Sequence, residues 1–337
     1  MSAWALWPSI LALAASVVVL VFAGSRLART ADQLSDRTGM GKAAAGALFL
    51  GAVTSLPGII ATATGALEGD AAYALANPLG GVAVQTVWLA IADLVYRKAN
   101  LEHASASLEN LLQSLVLVAL ISMPVVAYAT PGLTLGWVHP ITLVMPVVYL
   151  YGLSLLNQAR KEPMWSAKKT SDTREGGEAA GTKASTPQLW LRLGMLAVVV
   201  GVTGWVIAQA GLGIVAATGW PSGITGFTVT TAVTSLPELV TLIAAVRMGA
   251  LTLGVGNIIG GNVFDTLLII VADGFYTEGN IYSSAGAESL VLLGGTVLIT
   301  SVLAAGLLVR QRKGVGFESV AIPGVYLGTV ALAIFAS

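Results

Sequence analysis

The stretch from Thr231 to Asp265 places Thr234, Ser235, Glu238, Asn257, Asn262 and Asp265 inside long apolar runs. A carboxylate in hydrocarbon is costly, so an acid within a membrane segment marks a functional site by default. Pro237 is a second signal. A proline inside a helix removes one backbone hydrogen bond, and its ring clashes with the carbonyl four residues earlier, here that of Val233. The freed carbonyl, the hydroxyls of Thr234 and Ser235, and Glu238 then form a group of oxygen donors, the ligand type hard cations take. Glu238 is therefore a candidate cation ligand on a broken helix. The alternative is a buried carboxyl hydrogen-bonded to a neighbour. Asn257, Gly261 and Asp265 follow at a spacing of four, which puts them on one helix face. Gly261 allows a backbone or an ion to approach closely, and Asp265 reads as a ligand or proton carrier.

The same stretch occurs earlier in the chain. Ala52-Val53-Thr54-Ser55-Leu56-Pro57 recurs as Ala232-Val233-Thr234-Ser235-Leu236-Pro237, an offset of 180 residues. The register holds without a gap through Asn77 and Asn257, Gly80 and Gly260, Gly81 and Gly261, to Asp93 and Asp273 and to Tyr96 and Tyr276. Two related halves are a common plan in secondary transporters. Thr54, Ser55, Thr234 and Ser235 offer hydroxyl or backbone oxygens, or else bond within their own helices. Asn77 and Asn257 either cap broken helices, bond between helices or bind ions. Gln85 stands where Asp265 stands in the second half and offers a neutral oxygen.

These two S-L-P motifs, each followed by N-x-x-G-G, resemble the paired alpha repeats of the sodium/calcium exchanger family. The second repeat matches best, with S-L-P-E at Ser235 to Glu238 and G-N-I-I-G-G-N-V-F-D at Gly256 to Asp265. The first is degenerate: Gly58 holds the family's glutamate position, and G-S-N is reduced to Gly80-Gly81-Val82. The resemblance implies a mid-membrane site built by helices two, three, seven and eight. It also implies a sliding or rocking motion of helices one and six. The metal-site candidates are Glu238, Asp265, Thr234, Ser235, Thr54, Ser55, Asn257, Asn77, Gln85 and Asn262. In the family calcium sits between two glutamates, so Gly58 implies weaker calcium affinity and room for water beside Glu238.

The elements that must position these residues are membrane helices. The chain is 55% hydrophobic and only 10% charged, against about 25% charged in soluble domains, which makes it an all-α polytopic membrane protein. About twenty apolar residues span a bilayer. Ten candidate spans follow: 8–25, 43–66, 71–95, 108–129, 138–157, 189–210, 224–246, 250–274, 286–309 and 318–336. They divide into a first five-helix half (1–157), a polar loop (158–188) and a second five-helix half (189–337). All 17 Lys and Arg fall on one side of this layout, which places the central loop in the cytoplasm and both termini outside. Five spans per half is an odd number, so the second half enters the membrane inverted. The run Ile10 to Ala23 reads as the first span and not as a signal peptide, since its basic residues, Arg26 and Arg29, follow it.

Other classes are disfavoured. Zero net charge gives no reason for a nucleic-acid partner, and no cysteine is present for disulfides or thiolate metal sites. The sequence contains no nucleotide motif and no nucleophile with a base, which argues against ATP-driven pumping and against an enzyme. Asp93 reads as an ion pair with Arg97, Asp273 as interfacial, and Glu109, Glu288 and Glu318 as acids at helix starts. His103 and His139 lie far apart in sequence and form no metal site. Trp4, Trp7, Trp137 and Trp220 read as interface anchors. The expected function is a cation antiporter in a bacterial or archaeal plasma membrane, without a covalent cofactor. It would exchange Na+ or H+ for Ca2+ or another cation, K+ among the candidates. The bilayer and inorganic cations are its partners, and the sequence indicates no protein partner. The alternative is a degenerate membrane scaffold or ion sensor that no longer transports.

Overall fold

A computed structural model describes residues 4–38, 49, 51–95, 107–161, 184–248, 251–309 and 316–337. The described residues are helical apart from short turns and an isolated bridge between Leu135 and Val138. The helices are α1 (Leu6–Thr38), α2 (51–67, broken at Ser55), α3 (Ala71–Val95), α4 (Leu108–Ala129) and α5 (Pro140–Lys161) in the first half. The second half contains α6 (Thr186–Thr218), α7 (Ser222–Thr234 and Leu236–Met248), α8 (Leu251–Asp265 and Leu268–Phe275), α9 (Gly286–Val309) and α10 (Phe317–Ala336). Among the described residues, eight helices are long and apolar enough to cross a membrane, and the bent pair of α7 makes a ninth if counted as one span. This is an integral membrane protein. Leu56–Leu67 of α2 is apolar but short, and the remainder of the span expected at 43–66 lies mostly outside the described residues.

The sequence register is also a register of helix ends. α1 and α6 are each 33 residues long and start and stop at positions 180 apart. So do α3 and α8, and both interrupted helices break at matching serines, Ser55 and Ser235. α1 extends beyond its expected end because the segment Ser25–Thr38 is amphipathic. It buries Leu27, Ala31 and Leu34 while carrying Arg26, Arg29 and Arg37. The central polar loop is shorter than expected for the same kind of reason. α5 continues to Lys161, and the start of α6 is fixed by Gln188 Oε1 accepting from the Ser185 amide at 2.9 Å.

Among the described residues three apolar clusters form. The largest joins α3, α4, α5, α7, α8, α9 and α10. The second joins Leu13, Leu20, Leu27 and Leu34 of α1 to Leu189, Leu193, Val200 and Ile207 of α6, with Val233 of α7 beside them. The third joins Ala208 of α6 to Ala61 of α2 and Tyr73 of α3. Trp4, expected as an interface anchor, packs edge-to-face on Trp205 with centroids 6.1 Å apart, which adds to the α1–α6 contact. This pair presses glycines against the opposite half's break. A Cβ on Gly24 would lie 2.5 Å from Pro237 Cγ, and a Cβ on Gly204, 180 residues later, would lie 2.5 Å from Pro57 O. Reciprocal pairs of this kind are what a two-fold relation between two halves produces.

Two further reciprocal links join the halves. Ser319 Oγ donates to Asp93 Oδ2 at the start of α10. His139 N donates to Asp273 Oδ2 at 2.9 Å at the start of α5. Asp273, near the end of α8, is fully buried against the first half, and His139 is buried with it. Asp93 is held by the other half's Ser319; Arg97 lies outside the described residues. Glu318 opens α10 as expected and is buried against Gly306.

Candidate cation site

Proline shapes the centre of the molecule. Pro57 and Pro237 deprive the carbonyls of Val53 and Val233 of their helical donors. The chain responds at the serine two residues before each proline. Ser55 sits at φ −81°, ψ 4° and Ser235 at φ −92°, ψ 11°, in the bridge region between helix and strand. In α7 the two segments meet at a 50° bend. The two breaks face each other across a cavity. From α2 and α7 it is lined by Ser55, Gly58, Thr234, Ser235 and Glu238, and from α3 and α8 by Asn77, Gln85 and Asp265. Pro78, Gly81 and Leu268 complete the wall. For the centre of a water-sized sphere it offers about 10 Å³, room for about one small occupant.

Asp265 meets its own sequence counterpart across the cavity. Its Oδ2 accepts from Gln85 Nε2 at 2.8 Å, and Gln85 is its own counterpart in the first half. Ser55 Oγ donates to Asp265 Oδ1 at 2.5 Å. The matching contact, Gln85 Nε2 to Ser235 Oγ, is 3.5 Å. Both oxygens of Asp265 are thus held by neutral donors. Glu238 is 8% exposed, and its Oε2 has no hydrogen-bond partner among the described residues; the same holds for Gln85 Oε1. Buried polar atoms are rarely left unpaired. The cavity therefore combines two carboxylates, two unsatisfied oxygens and three hydroxyls in a volume suited to a desolvated cation. Among the described residues no group of three or more Asp, Glu, His or Cys forms a metal cluster, so a cation here relies on hydroxyl, amide and carbonyl oxygens as well.

Of the ten residues expected at the site, seven converge on the cavity: Glu238, Asp265, Thr234, Ser235, Ser55, Asn77 and Gln85. Three do not line it. Thr54 donates to Gly51 O at 3.3 Å, an ordinary intrahelical bond. Asn262 clamps α8 to α3 by donating to Thr86 Oγ1 at 3.0 Å and to Val82 O at 3.4 Å. Asn257 is exposed. Even Asn77 spends its amide on packing: Nδ2 donates to Thr62 Oγ1 at 2.9 Å and Gly58 O at 3.2 Å, and Oδ1 accepts from Thr231 at 3.3 Å. The sequence reading missed Leu268. No polar signal marks it, and only its position three residues beyond Asp265 on a cavity-facing helix could have found it.

The two halves differ in access. Asn77 is 2% exposed while its counterpart Asn257 is exposed. A Cβ on Gly80 would lie 2.4 Å from Phe227 O, whereas on Gly260 it would meet nothing closer than Gln113 Nε2 at 3.8 Å. The cavity is therefore sealed at the Asn77 end. Gly80→Ala should lower stability by about 1–3 kcal/mol, because a backbone oxygen cannot move aside. Gly260→Ala should be tolerated. Thermal unfolding of the purified variants tests this, and equal losses would contradict the packing difference.

Comparison with known proteins gives a consistent picture. The chain matches the sodium/calcium exchanger protein family over residues 8–158 and 188–335. It is 24% identical over 284 residues to the "Putative antiporter CaxA" of Alkalimonas amylolytica, covering 84% of this chain and 86% of that protein. It is 37% identical over 87 residues to "Inner membrane protein YrbG" of Escherichia coli (strain K12), a match that spans only 25% of this chain and 26% of that one. Its fold superposes on the crystal structure of the H+/Ca2+ exchanger CAX with a TM-score of 0.69 at 15% identity, covering 97% of this chain and 86% of that chain.

Proposed function

The chain belongs to the sodium/calcium exchanger family, and from that premise we propose that it is a secondary active antiporter exchanging Na+ or H+ for Ca2+ or another cation by alternating access. The observation that carries this reading is the unpartnered Glu238 Oε2 beside Asp265, enclosed where two broken helices meet. An intramembrane acid in a cavity just large enough for one small occupant is a poor structural element and a good ion site. Glu238 supplies the free carboxylate oxygen. Gln85 Oε1, Ser55, Ser235 and Thr234 supply neutral oxygens. Asp265 supplies the second charge, held against its counterpart Gln85.

The layout we propose is ten spans in two inverted five-helix halves, with α2 belonging to the span expected at 43–66. The side carrying the Lys and Arg residues is cytoplasmic and both termini are outside. α3 then runs inward and α8 outward, which puts the sealed Asn77 end toward the outside and the exposed Asn257 end toward the cytoplasm. In this layout the arrangement reads as a state closed to the exterior. In the return state the exposures of Asn77 and Asn257 exchange.

Purified protein in liposomes, given an inward or outward gradient of Na+, H+, K+ or Ca2+, should show gradient-dependent counterflow of a second cation. A cysteine at Thr173 in the otherwise cysteine-free chain should be labelled only from the cytoplasmic side. A second reading, a non-transporting scaffold or sensor, draws on Gly58, which lacks the first-repeat carboxylate. Absence of counterflow for every ion pair would favour that reading.

A further inference from the structure

Gly58 and Glu238 are counterparts, so the cavity carries a carboxylate from α7 and none from α2. The space on the Gly58 side is not simply vacated. A Cβ placed on Gly58 would lie 3.3 Å from Leu268 Cδ2 and 3.9 Å from Asn77 Nδ2. That contact is tighter than ordinary van der Waals separation, so the leucine already occupies the direction in which a side chain would leave. Leu268 is 3% exposed and lines the cavity.

The halves differ here in a way that explains how the leucine gets there. α3 runs unbroken through the matching position, Trp88, which does not line the cavity. α8 breaks at Thr266 and Leu267 and restarts at Leu268, with tightened bonds from Ile269 N to Thr266 O at 3.2 Å and Ile270 N to Leu267 O at 3.0 Å. The break follows directly on Asp265. It sets an apolar branched side chain against Gly58, opposite Glu238 across the cavity.

We infer that Leu268 is a specificity-determining residue: it fills the space beside Gly58, excludes water and oxygen ligands from that one wall, and confines the cation to the Glu238–Asp265 side. The inference rests on the cation-site reading above. It has a physical consequence for the ion. A small divalent cation takes 6–8 oxygen ligands, and methyl groups on one wall remove part of that shell. A cation with weaker coordination demands, or a proton, is disfavoured less. Restoring the missing carboxylate alone is therefore insufficient, because the new side chain and Leu268 compete for one space.

The test is a double-mutant cycle on the full chain. Calcium binding is measured by calorimetry on purified protein for the parent, Gly58→Glu, Leu268→Ala and the double variant. Gly58→Glu alone is expected to change affinity less than about threefold, and Leu268→Ala alone to raise it by about threefold as water enters the vacated wall, while the double variant gains about tenfold or more. Equal gains from Gly58→Glu alone and from the double variant would overturn the inference, as would an equal gain from Leu268→Ala alone. If the double variant does not fold, Leu268→Asn on the parent decides. A neutral oxygen in place of the methyls should raise calcium affinity relative to sodium, and an unchanged ratio overturns the inference. Failure of the underlying site is read separately: Glu238→Gln would then leave cation binding by the parent unaffected.

Discussion

Glu238→Gln is expected to abolish cation exchange while leaving the protein folded. The side chain lies in a closed cavity with Asp265, and its Oε2 has no partner among the described residues. Truncating one partner of a buried, charge-balanced contact costs about 3–5 kcal/mol, equivalent to about two to four orders of magnitude in cation affinity. The glutamine is nearly isosteric, so packing against Pro237 and the bend at Ser235 should survive, and the thermal unfolding midpoint should stay close to the parent's. Glu278→Gln is the matched control: Glu278 is exposed and outside the cavity. Glu318, at first sight a suitable neutral site, does not serve, because it is buried against Gly306. Flux in liposomes reads the outcome. Comparable loss in the Glu238 and Glu278 variants would place the site elsewhere.

Much of this arrangement is legible in the sequence because its strongest signals are covalent. Proline has no N–H and removes a helical bond, and both S-L-P motifs coincide with a break at the serine, whereas Pro78, Pro124, Pro146 and Pro323 sit inside continuous helices. An internal repeat with no gap leaves little freedom in helix length, and the ends of α1 and α6, and of α3 and α8, keep the offset. What stays hidden is partner choice. Seven of ten expected site residues reach the cavity, yet Thr54, Asn257 and Asn262 turn elsewhere, because an asparagine or threonine is equally suited to a ligand, a clamp or an intrahelical bond. Sequence symmetry also conceals structural asymmetry. Asn77 and Asn257 are the same residue at the same repeat position, but one is sealed behind Thr231 and Gly58 and the other is exposed. A conformational state breaks the symmetry, and no residue type encodes a state. Leu268 is hidden for a related reason: a leucine in an apolar helix is unremarkable until the break before it is seen.

The split core carries the second large prediction. α1 and α6 share their own apolar cluster, and at one end Arg37 donates to Ala184 O. Their contact with the rest of the molecule includes the glycines against Pro57 and Pro237, the packing of Ala208 on Ala61 and Tyr73, Val233 of α7, and, among the described residues, one side-chain hydrogen bond at the other end, Gln209 Nε2 to Glu68 Oε1 at 3.0 Å. A partly exposed hydrogen bond contributes about 1 kcal/mol, small enough to break in each cycle, whereas an apolar cluster of that size is not. If α1 and α6 move as one body past the broken helices, a covalent tie within the pair is harmless and a tie from α6 to the end of α2 is not. The chain has no cysteines, so introduced pairs report cleanly. Bridging Glu68→Cys to Gln209→Cys with a short, cleavable bifunctional thiol reagent should lower exchange by about tenfold or more, since a locked protein cannot populate its second state. Bridging Arg37→Cys to Ala184→Cys with the same reagent should leave the rate within about twofold of the unbridged variant. Reductive cleavage should restore the first pair. Undiminished exchange with Glu68 and Gln209 bridged would show that α6 does not move against α2 during transport, and the motion would have to be sought within the largest cluster.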